Sequence, residues 1–439
     1  MVRARSDVET VVEVIEDTHW MDDASIPFLK GLVQAVAGTR TLLILTYRTA
    51  HPAQWLAGEH VRELSLMPLN PVAAESQVRQ LLGGEDAPVE LVNAIQARGE
   101  GNPFFAEELV RNLMEERAGG APGEAGAGRG TPVLKMPPSI ENVLAARIDR
   151  LLPQEKMALQ TLSVIGREFD SRVLEDVAAF PTDALDTALP ALIEAGLIDP
   201  LGDTQYRFRH ALTREVAYAS LLSTERSRVH ASVARTIIEA DGGGSGEHAA
   251  LIAHHLEMAG SIDQAATWSA RAAEWVAGSH PATALSHWRS VCGLTDQLEP
   301  DQQVVTLALT ARLRSLALSW RLGEDEAEVA ERFARARDIA QATHALGAEA
   351  LLVANYATVR GFAGHGREFL ALAEEAVELA ARSDDLGILQ TTRAAHQLAL
   401  SHRGRLRDAL EVSCRIRADA LENPQAGAGL ALVFSARLE

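Results

Sequence analysis

The last third of the chain repeats itself with a period of 40 residues. Three features recur at this spacing: Leu346-Gly347 and Leu386-Gly387, Gly364 and Gly404, and Phe369-Leu370 and Ala409-Leu410. A period of this length fits a pair of helices joined by a turn, and such pairs stack because each buries one face against the next. We therefore predict helical repeats over residues 247–439, with a concave surface that binds a protein partner or a small effector. We expect the array to be incomplete at its C-terminus, and an ordinary helical bundle is the alternative.

Composition and charge exclude several classes of protein. The 439 residues carry 41 Lys and Arg against 60 Asp and Glu, a formal net charge of −19. Because nucleic-acid binding needs a clustered positive surface, we expect no large contact with DNA or RNA. The two cysteines lie far apart and match no metal or redox spacing. The sequence has no apolar run of about 18 residues and no signal-peptide core, so it predicts a cytoplasmic protein without membrane association.

The stretch from Val11 to Asp23, VVEVIEDTHWMDD, predicts a buried strand followed by an acidic turn. Its β-branched residues favour a parallel strand, and Glu16 and Asp17 then lie where open α/β sheets bind ligands. This is the layout of a Walker B segment, in which the first carboxylate holds Mg²⁺ and the second polarises the attacking water. The alternative is a pair of solvated acids that caps the next helix near Ser25.

A strand, a helix and a strand are expected within residues 11–46. Helical periodicity over Ala24–Ala37 separates the first strand from TLLILT at residues 41–46, which predicts one βαβ unit. Arg48 then lies at the same sheet edge as the acidic pair. It is either a sensor that contacts a γ-phosphate or a surface arginine paired with a loop carboxylate. LSLMPL at residues 64–69 predicts a further short strand.

Gly, Ala and Pro dominate residues 118–132, AGGAPGEAGAGRGTP, and predict a flexible linker at a domain boundary. Four helical stretches come after it, near residues 140–151, 153–165, 171–178 and 183–196, with a β-hairpin around the Gly202-Asp203 turn. This succession predicts a winged-helix domain over residues 137–240. Although winged helices often bind DNA, the acidic chain favours an internal role for this one.

Six motifs together resemble the STAND class of signal-transduction ATPases, in bacterial regulators that also carry helical repeats. In chain order they are EDTHWMDD, LTYR, EGNPFFAEEL, MPPSIENVLAARIDRL, VIGREF and YRFRHALTREVAYASLL. The similarity runs from about Val11 to about Ala273, with a looser repeat array beyond. It is strongest to the region attached to class III adenylate or guanylate cyclases.

The resemblance implies a mostly α fold with a partial α/β sheet of the P-loop NTPase type, a winged-helix domain and a tetratricopeptide-like α-solenoid. The expected domains are a partial ATPase domain, a linker, the winged helix and the repeats, at residues 1–117, 118–136, 137–240 and 247–439.

The resemblance also implies a site for ATP or ADP with Mg²⁺. Glu16 and Asp17 would serve Mg²⁺ binding and water activation, and Arg48 would be the sensor. Pro103, the proline of GNP, would pack on the adenine, and His210, the histidine of FRH, would contact the ADP phosphate. From the residues alone, Pro103 is equally a helix breaker and His210 a core or surface histidine.

The sequence departs from the family in two places. The family has a loop G-x-x-x-x-G-K-[ST] before the Walker B strand, whose backbone N–H groups and lysine hold the phosphates. The only lysines are Lys30, Lys135 and Lys156, and none follows a glycine. Glu13 stands where the family has an apolar residue, and burying a carboxylate is costly. We therefore expect a piece of a larger receptor ATPase or a form that has lost catalysis, with weak or no binding of ATP or ADP by itself.

Three functional hypotheses come from this reading. The leading one is a regulatory module that senses a partner on the repeats and controls an attached nucleotide cyclase, as the EVAYASLL and VIGREF motifs favour. The second is the same module attached to a helix-turn-helix transcription effector. The third is a protein-binding scaffold with a vestigial ATPase. No cyclase domain is expected in this chain, because the residues that would bind two metals and a purine are absent.

Overall fold

The computed structural model describes residues 5–6, 8–18, 21, 25–47, 56, 58–83, 87–119, 139–178, 182–240 and 246–422. The predicted linker lies almost entirely outside this range, as do Arg48 and the end of the chain. The chain divides into two compact units, Met1–Thr236 and Ile237–Glu439. Nineteen helices and five strands occur in the described residues, so the protein is mostly helical. None of the described helices is both long and apolar enough to cross a membrane.

The first unit contains all five strands of the described residues. Its elements are β1 (Val11–Ile15), α1 (Ile26–Val36), β2 (Thr41–Leu45), α2 (Pro71–Leu81), α3 (Val89–Gly99), α4 (Pro103–Gly119), α5 (Ile140–Arg150), α6 (Pro153–Ile165), β3 (Glu168–Asp170), α7 (Ser171–Ala178), α8 (Thr182–Glu194), β4 (Ile198–Pro200), β5 (Gln205–Phe208), α9 (Ala211–Ala219) and α10 (Ser223–Ala240).

The predicted strand-helix-strand arrangement is confirmed. Strands β1 and β2 pair in parallel, with Val11 opposite Thr41 and Ile15 opposite Leu45. Helix α1 joins them and contacts β2, so this is a parallel unit with its helix on one face. The buried apolar residues of α1 are Leu29, Leu32 and Val33.

The other face of this small sheet is bare in the described part of the chain. Its residues Val12, Val14, Leu42 and Ile44 are 62%, 54%, 56% and 40% exposed. Parallel sheets normally have both faces covered, so half of the expected packing is missing here. Glu13 lies on the face that α1 covers, but it is only half-buried, so its carboxylate is not enclosed in a core.

The strand predicted at residues 64–69 does not form. Leu64, Leu66 and Met67 are 84%, 95% and 80% exposed, and the segment has no sheet partner in the described residues. An apolar run has only a preference for the extended conformation, and a strand also needs an edge to pair with. The segment instead leads to Asn70, whose side chain accepts a hydrogen bond from the Ala73 N–H and caps α2.

A three-stranded antiparallel sheet has the order β3-β5-β4. The predicted hairpin is confirmed as β4 and β5, with Ile198 opposite Phe208. Strand β3 was not predicted, and it pairs with β5 through Phe169 opposite Tyr206. Phe208 is fully buried in a core shared with α5, α6 and α8.

Helix α5 joins two neighbouring cores of the first unit. Its Leu144 and Ile148 belong to the core around Phe208, whereas its Val143 packs with residues of α2, α3 and α4. These contacts connect residues on the two sides of the predicted linker.

The second unit is entirely helical in its described part. Its elements are α11 (Ala249–Ala259), α12 (Ile262–Val276), α13 (Pro281–Thr295), α14 (Gln302–Leu322), α15 (Glu326–Ala342), α16 (Leu346–Phe362), α17 (Gly366–Ala381), α18 (Leu386–His402) and α19 (Leu406–Glu422).

The 40-residue period is confirmed as a repeated pair of helices. Helices α16 and α18 begin 40 residues apart, as do α17 and α19. The turns repeat as well, since His344 and Asp384 have φ of 54° and 53° and Gly364 and Gly404 have φ of 96° and 72°. Each helix packs on the next one along the chain, so the second unit is an array of helical hairpins.

Candidate functional site

The acidic pair forms a turn at the C-terminal end of β1. Asp17 has a left-handed backbone with φ of 55°, which Asp tolerates better than most residues. Its N–H donates to Thr46 Oγ1 at 2.9 Å, and the Thr18 N–H donates to the Thr46 carbonyl at 2.8 Å. Thr46 directly follows β2, so the parallel pairing of the strands brings it to the acidic turn. Thr46 therefore fixes the backbone that carries the Asp17 carboxylate.

Both carboxylates of the pair converge on one guanidinium. Arg167 Nη2 lies 2.7 Å from Glu16 Oε2, and Arg167 Nη1 lies 3.5 Å from Asp17 Oδ2. Arg167 immediately precedes β3, and its carbonyl accepts a hydrogen bond from the Phe208 N–H of β5 at 2.9 Å. The side chains of Arg167, Glu16 and Asp17 are 37%, 50% and 40% exposed, so solvent screens the attraction between them.

The donor set of the pair fits a hard divalent cation. The carboxylates of Glu16 and Asp17 already approach a single positive group, and Mg²⁺ is typically held by one or two carboxylates together with water and phosphate oxygens. Among the described residues, no group of three or more His, Cys, Asp and Glu side chains could hold a metal ion. Glu16 and Asp17 alone would therefore supply only part of a coordination shell.

The GNP segment makes a tight turn before α4. Gly101 has φ of 75°, and a Cβ there would lie 2.6 Å from the Leu69 carbonyl oxygen. The Leu69 N–H donates to the Gly101 carbonyl at 2.8 Å. Asn102 Oδ1 accepts from the Phe104 N–H at 3.0 Å and so caps the helix that Pro103 begins. Pro103 itself is exposed.

His210 lies against this turn. Its ring centroid is 3.9 Å from that of Phe104, at an interplanar angle of 39°. His210 Nε2 is buried and has no hydrogen-bond partner in the described residues. Burial lowers the pKa of His210, although the neighbouring Glu107 acts in the opposite direction. The imidazole is therefore neutral near pH 7, and its buried Nε2 has an unsatisfied hydrogen-bonding capacity.

Two arginines meet near His210 at a glycine. Gly196 has φ of 68°, and a Cβ there would lie 2.6 Å from Arg111 Nη1 and 3.1 Å from Arg209 Nη1. Arg111 pairs with Glu107 at 2.8 Å and Arg209 with Asp199 at 2.7 Å. Both guanidiniums act on His210 electrostatically. Each of these guanidiniums is paired with a carboxylate, so the cluster beside His210 has no excess positive charge.

A buried ion pair holds α4 against α5. Arg147 contacts Glu108, with each side chain only 2% exposed, and it also lies 2.7 Å from Glu115. Its Nη2 donates to the Ala195 carbonyl beyond the end of α8. Burial raises the pKa of the Glu108 carboxyl, although Arg147 acts in the opposite direction. This pair fixes the GNP helix α4 relative to α5 and to the end of α8.

The β3–β5 pairing connects two groups of predicted site residues. Arg167 before β3 contacts Glu16 and Asp17, and His210 after β5 contacts Phe104, the neighbour of Pro103. Arg48 lies outside the described residues.

Several residues of this arrangement were not predicted, among them Arg167, Thr46 and Phe104. Arg167 and Phe104 occur within the quoted VIGREF and GNPFF motifs, so an arginine and an aromatic side chain in those motifs were the available signals. Only its position at the end of a predicted strand could have marked Thr46 as a residue of the site.

Comparison with known proteins gives three similarities. The family described as Domain of unknown function (DUF8739) matches residues 73–118. The Uncharacterized protein R02095 of Rhizobium meliloti (strain 1021) is 24% identical over 347 residues, which cover 73% of this chain and 32% of that protein. This chain therefore spans about a third of the length of that relative.

The third similarity is to a crystal structure from Pyrococcus horikoshii. It is described as the Signal Transduction ATPase with Numerous Domains (STAND) protein with a tetratricopeptide repeat sensor PH0952. The TM-score is 0.37 at 14% identity, covering 97% of this chain and 65% of that chain. At that TM-score the likeness carries no functional assignment.

Proposed function

We propose that this chain is a nucleotide-responsive regulatory module of the STAND class of signal-transduction ATPases. ADP or ATP binding in the first unit controls an attached effector, and the repeats of the second unit bind the protein partner or small effector that is sensed. The observation that carries this proposal is the convergence of motif segments far apart in the sequence. Arg167 of VIGREF contacts Glu16 and Asp17 of EDTHWMDD, and His210 of FRH contacts Phe104 of GNPFF.

The acidic pair is the proposed cation site. Glu16 and Asp17 would hold Mg²⁺ through their carboxylates, and the ion would supply charge that offsets the phosphates. Thr46 keeps Asp17 in position through the hydrogen bond from the Asp17 N–H. Arg48 remains the proposed sensor.

His210 is the proposed phosphate contact. A buried polar atom without a partner is unfavourable, so a ligand atom that bonds to Nε2 recovers the cost of burying it. Arg111 and Arg209 lie nearby, each already paired with a carboxylate. The Pro103-Phe104 turn offers an apolar surface for the adenine. We expect weak affinity because the 439 residues contain no G-x-x-x-x-G-K-[ST] loop.

The effector is proposed to be a nucleotide cyclase. The support is the similarity of the EVAYASLL and VIGREF motifs to those of the cyclase-associated proteins. The helical hairpins of the second unit support a tetratricopeptide-like sensor, because stacked hairpins present an extended surface to a partner.

A titration of the full chain with fluorescently labelled ADP and Mg²⁺ tests the nucleotide site. We expect weak, saturable binding that Asp17→Asn and His210→Ala each weaken by about tenfold, the loss expected for one charge-assisted hydrogen bond. His280→Ala removes an exposed histidine of the second unit and should leave binding unchanged. Absence of saturable binding at millimolar ADP, or equal binding by the variants, would overturn the proposal.

Limited trypsin digestion tests the regulatory role. We expect Mg²⁺-ADP to change the cleavage rate within residues 118–132, because a two-state module changes conformation with its ligand. A scaffold with a vestigial ATPase would be digested at the same rate with and without nucleotide.

A further inference from the structure

We propose that Arg167 is an internal competitor for the cation position of the acidic pair, so that a divalent cation and the Arg167 guanidinium exclude one another. This inference rests on the proposed function, because it assigns a regulation to the same site. Its basis is that Nη2 and Nη1 of one guanidinium approach Glu16 Oε2 and Asp17 Oδ2 at 2.7 Å and 3.5 Å.

Geometry makes the two occupants incompatible. A cation that bridges both carboxylates needs the space between them, which the guanidinium occupies in this conformation. The Asp17 backbone is fixed by Thr46 and not by Arg167, so the acidic turn stays formed when Arg167 leaves. The site is therefore ready for a cation once the arginine is displaced.

Electrostatics allows a divalent cation to displace Arg167 from the two carboxylates, and it allows Arg167 to return when the cation leaves. The guanidinium carries one positive charge, whereas a divalent cation carries two, so the cation has the stronger attraction to two carboxylates. All three side chains are partly exposed, and exposed ion pairs are weak. Arg167 thus lowers the affinity for the cation without abolishing it.

The backbone of Arg167 is connected to the part of the site that contains His210 and Phe104. The Arg167 carbonyl accepts from the Phe208 N–H, and β3 pairs with β5 next to it. His210 follows β5 after one further residue and packs on Phe104. Arg167 therefore connects the acidic pair, through the β3–β5 pairing, to the segment that carries His210.

Mn²⁺ binding to the full chain, followed by electron paramagnetic resonance without nucleotide, tests this inference. We expect Arg167→Gln to bind Mn²⁺ about three- to tenfold more tightly than the wild type, because it removes an exposed ion pair from both carboxylates. Arg167→Lys keeps the charge but loses the forked geometry, so its affinity should lie between the two. Adding Asp17→Asn to Arg167→Gln should remove the gain.

Arg228→Gln is the matched control, since Arg228 is an exposed arginine of the first unit paired with Glu225. The same charge change at that position should leave Mn²⁺ affinity unchanged. If Arg167→Gln binds Mn²⁺ no more tightly than the wild type or Arg228→Gln, the inference is wrong. Thermal unfolding of each variant verifies that the fold is retained.

The outcome separates this inference from the proposed function. A nucleotide-dependent change in digestion of the wild type, without a gain in Mn²⁺ affinity for Arg167→Gln, would refute the competition and leave the regulatory role standing. A gain in Mn²⁺ affinity without any nucleotide effect would support the competition and refute the nucleotide response.

Discussion

Asp17 combines a functional side chain with an unusual backbone conformation. At φ of 55° a Cβ is unfavourable, so glycine should be the better replacement there. We predict that Asp17→Gly is more stable than Asp17→Ala by about 1 kcal/mol. Urea unfolding of the two variants measures the difference.

Glu16 provides the comparison for this prediction, because it is not among the described non-glycine residues with positive φ. At Glu16 the order should reverse, with alanine favoured over glycine by its lower backbone entropy in the unfolded chain. Equal stabilities of the two Asp17 variants would contradict the left-handed turn.

His210 should make the stability of the first unit depend on pH. Because burial lowers the His210 pKa, the unfolded chain takes up the proton first as the pH falls. The stabilisation from the neutral imidazole is fully present above the unfolded pKa of about 6.5 and is lost as the pH falls below it. We predict that His210→Phe reduces the loss of thermal stability between about pH 7.5 and about pH 5.5.

The exposed His280 is the control for this experiment, and His280→Phe should lose as much thermal stability between the two pH values as the wild type. His210→Phe should still lose some thermal stability, because burial also lowers the pKa of His396 in the second unit. A loss in His210→Phe equal to that of the wild type would contradict the assignment.

The sequence motifs supplied some residues of the candidate site but not the contacts between them. Glu16, Asp17 and His210 could be chosen because each belongs to a motif with a known residue type at a known place. Arg167 could not, because its contact with the acidic pair depends on how β3 packs against a turn about 150 residues earlier in the chain. Thr46 depends on the register of two parallel strands, which sequence alone does not give.

Among the contacts between helices, the one between α4 and α5 should be highly sensitive to substitution, because it contains a buried ion pair. Arg147 and Glu108 are each 2% exposed, so removing one partner leaves a buried charge without compensation. We predict that Arg147→Met destabilises the first unit by about 3–5 kcal/mol in urea unfolding, whereas the double variant Arg147→Met with Glu108→Leu recovers much of the loss.

Arg228→Met is the control in the same unit. The Arg228 side chain is 68% exposed and pairs with Glu225, which is 40% exposed, so the loss should be below about 1 kcal/mol. A double variant no more stable than Arg147→Met would show that packing and not the unpaired charge sets the cost.

Periodicity predicted the helices well, whereas short strands were predicted poorly. The helices at 153–165 and 171–178 have the bounds expected from the sequence, as α6 and α7. LSLMPL was wrongly predicted as a strand because its apolar residues have no edge to pair with. Strand β3 was missed because three residues are too short for an alternating pattern and only its pairing with β5 defines it.

At the scale of the whole molecule, the second unit depends on close packing within and between its hairpins. A Cβ added to Gly361 of α16 would overlap the ring of Phe369 on α17, which is fully buried. We predict that Gly361→Ala destabilises the second unit by about 1–3 kcal/mol through overpacking. Gly293 of α13 has open space around its Cα, so Gly293→Ala should stabilise the unit by up to about 1 kcal/mol.

Differential scanning calorimetry of these two glycine variants measures both effects. Opposite signs support the tight crossing of α16 and α17. Destabilisation by both changes, or by neither, would contradict it.

The proposed function requires that the acidic pair and His210 belong to one nucleotide site. Hydrogen exchange of the full chain, followed by mass spectrometry with and without millimolar Mg²⁺-ADP, tests this requirement. We predict slower exchange at residues 16–18, 102–105 and 208–213 together, because one ligand would order all three segments. Protection of only one of these segments, or unchanged exchange at all three, would contradict it.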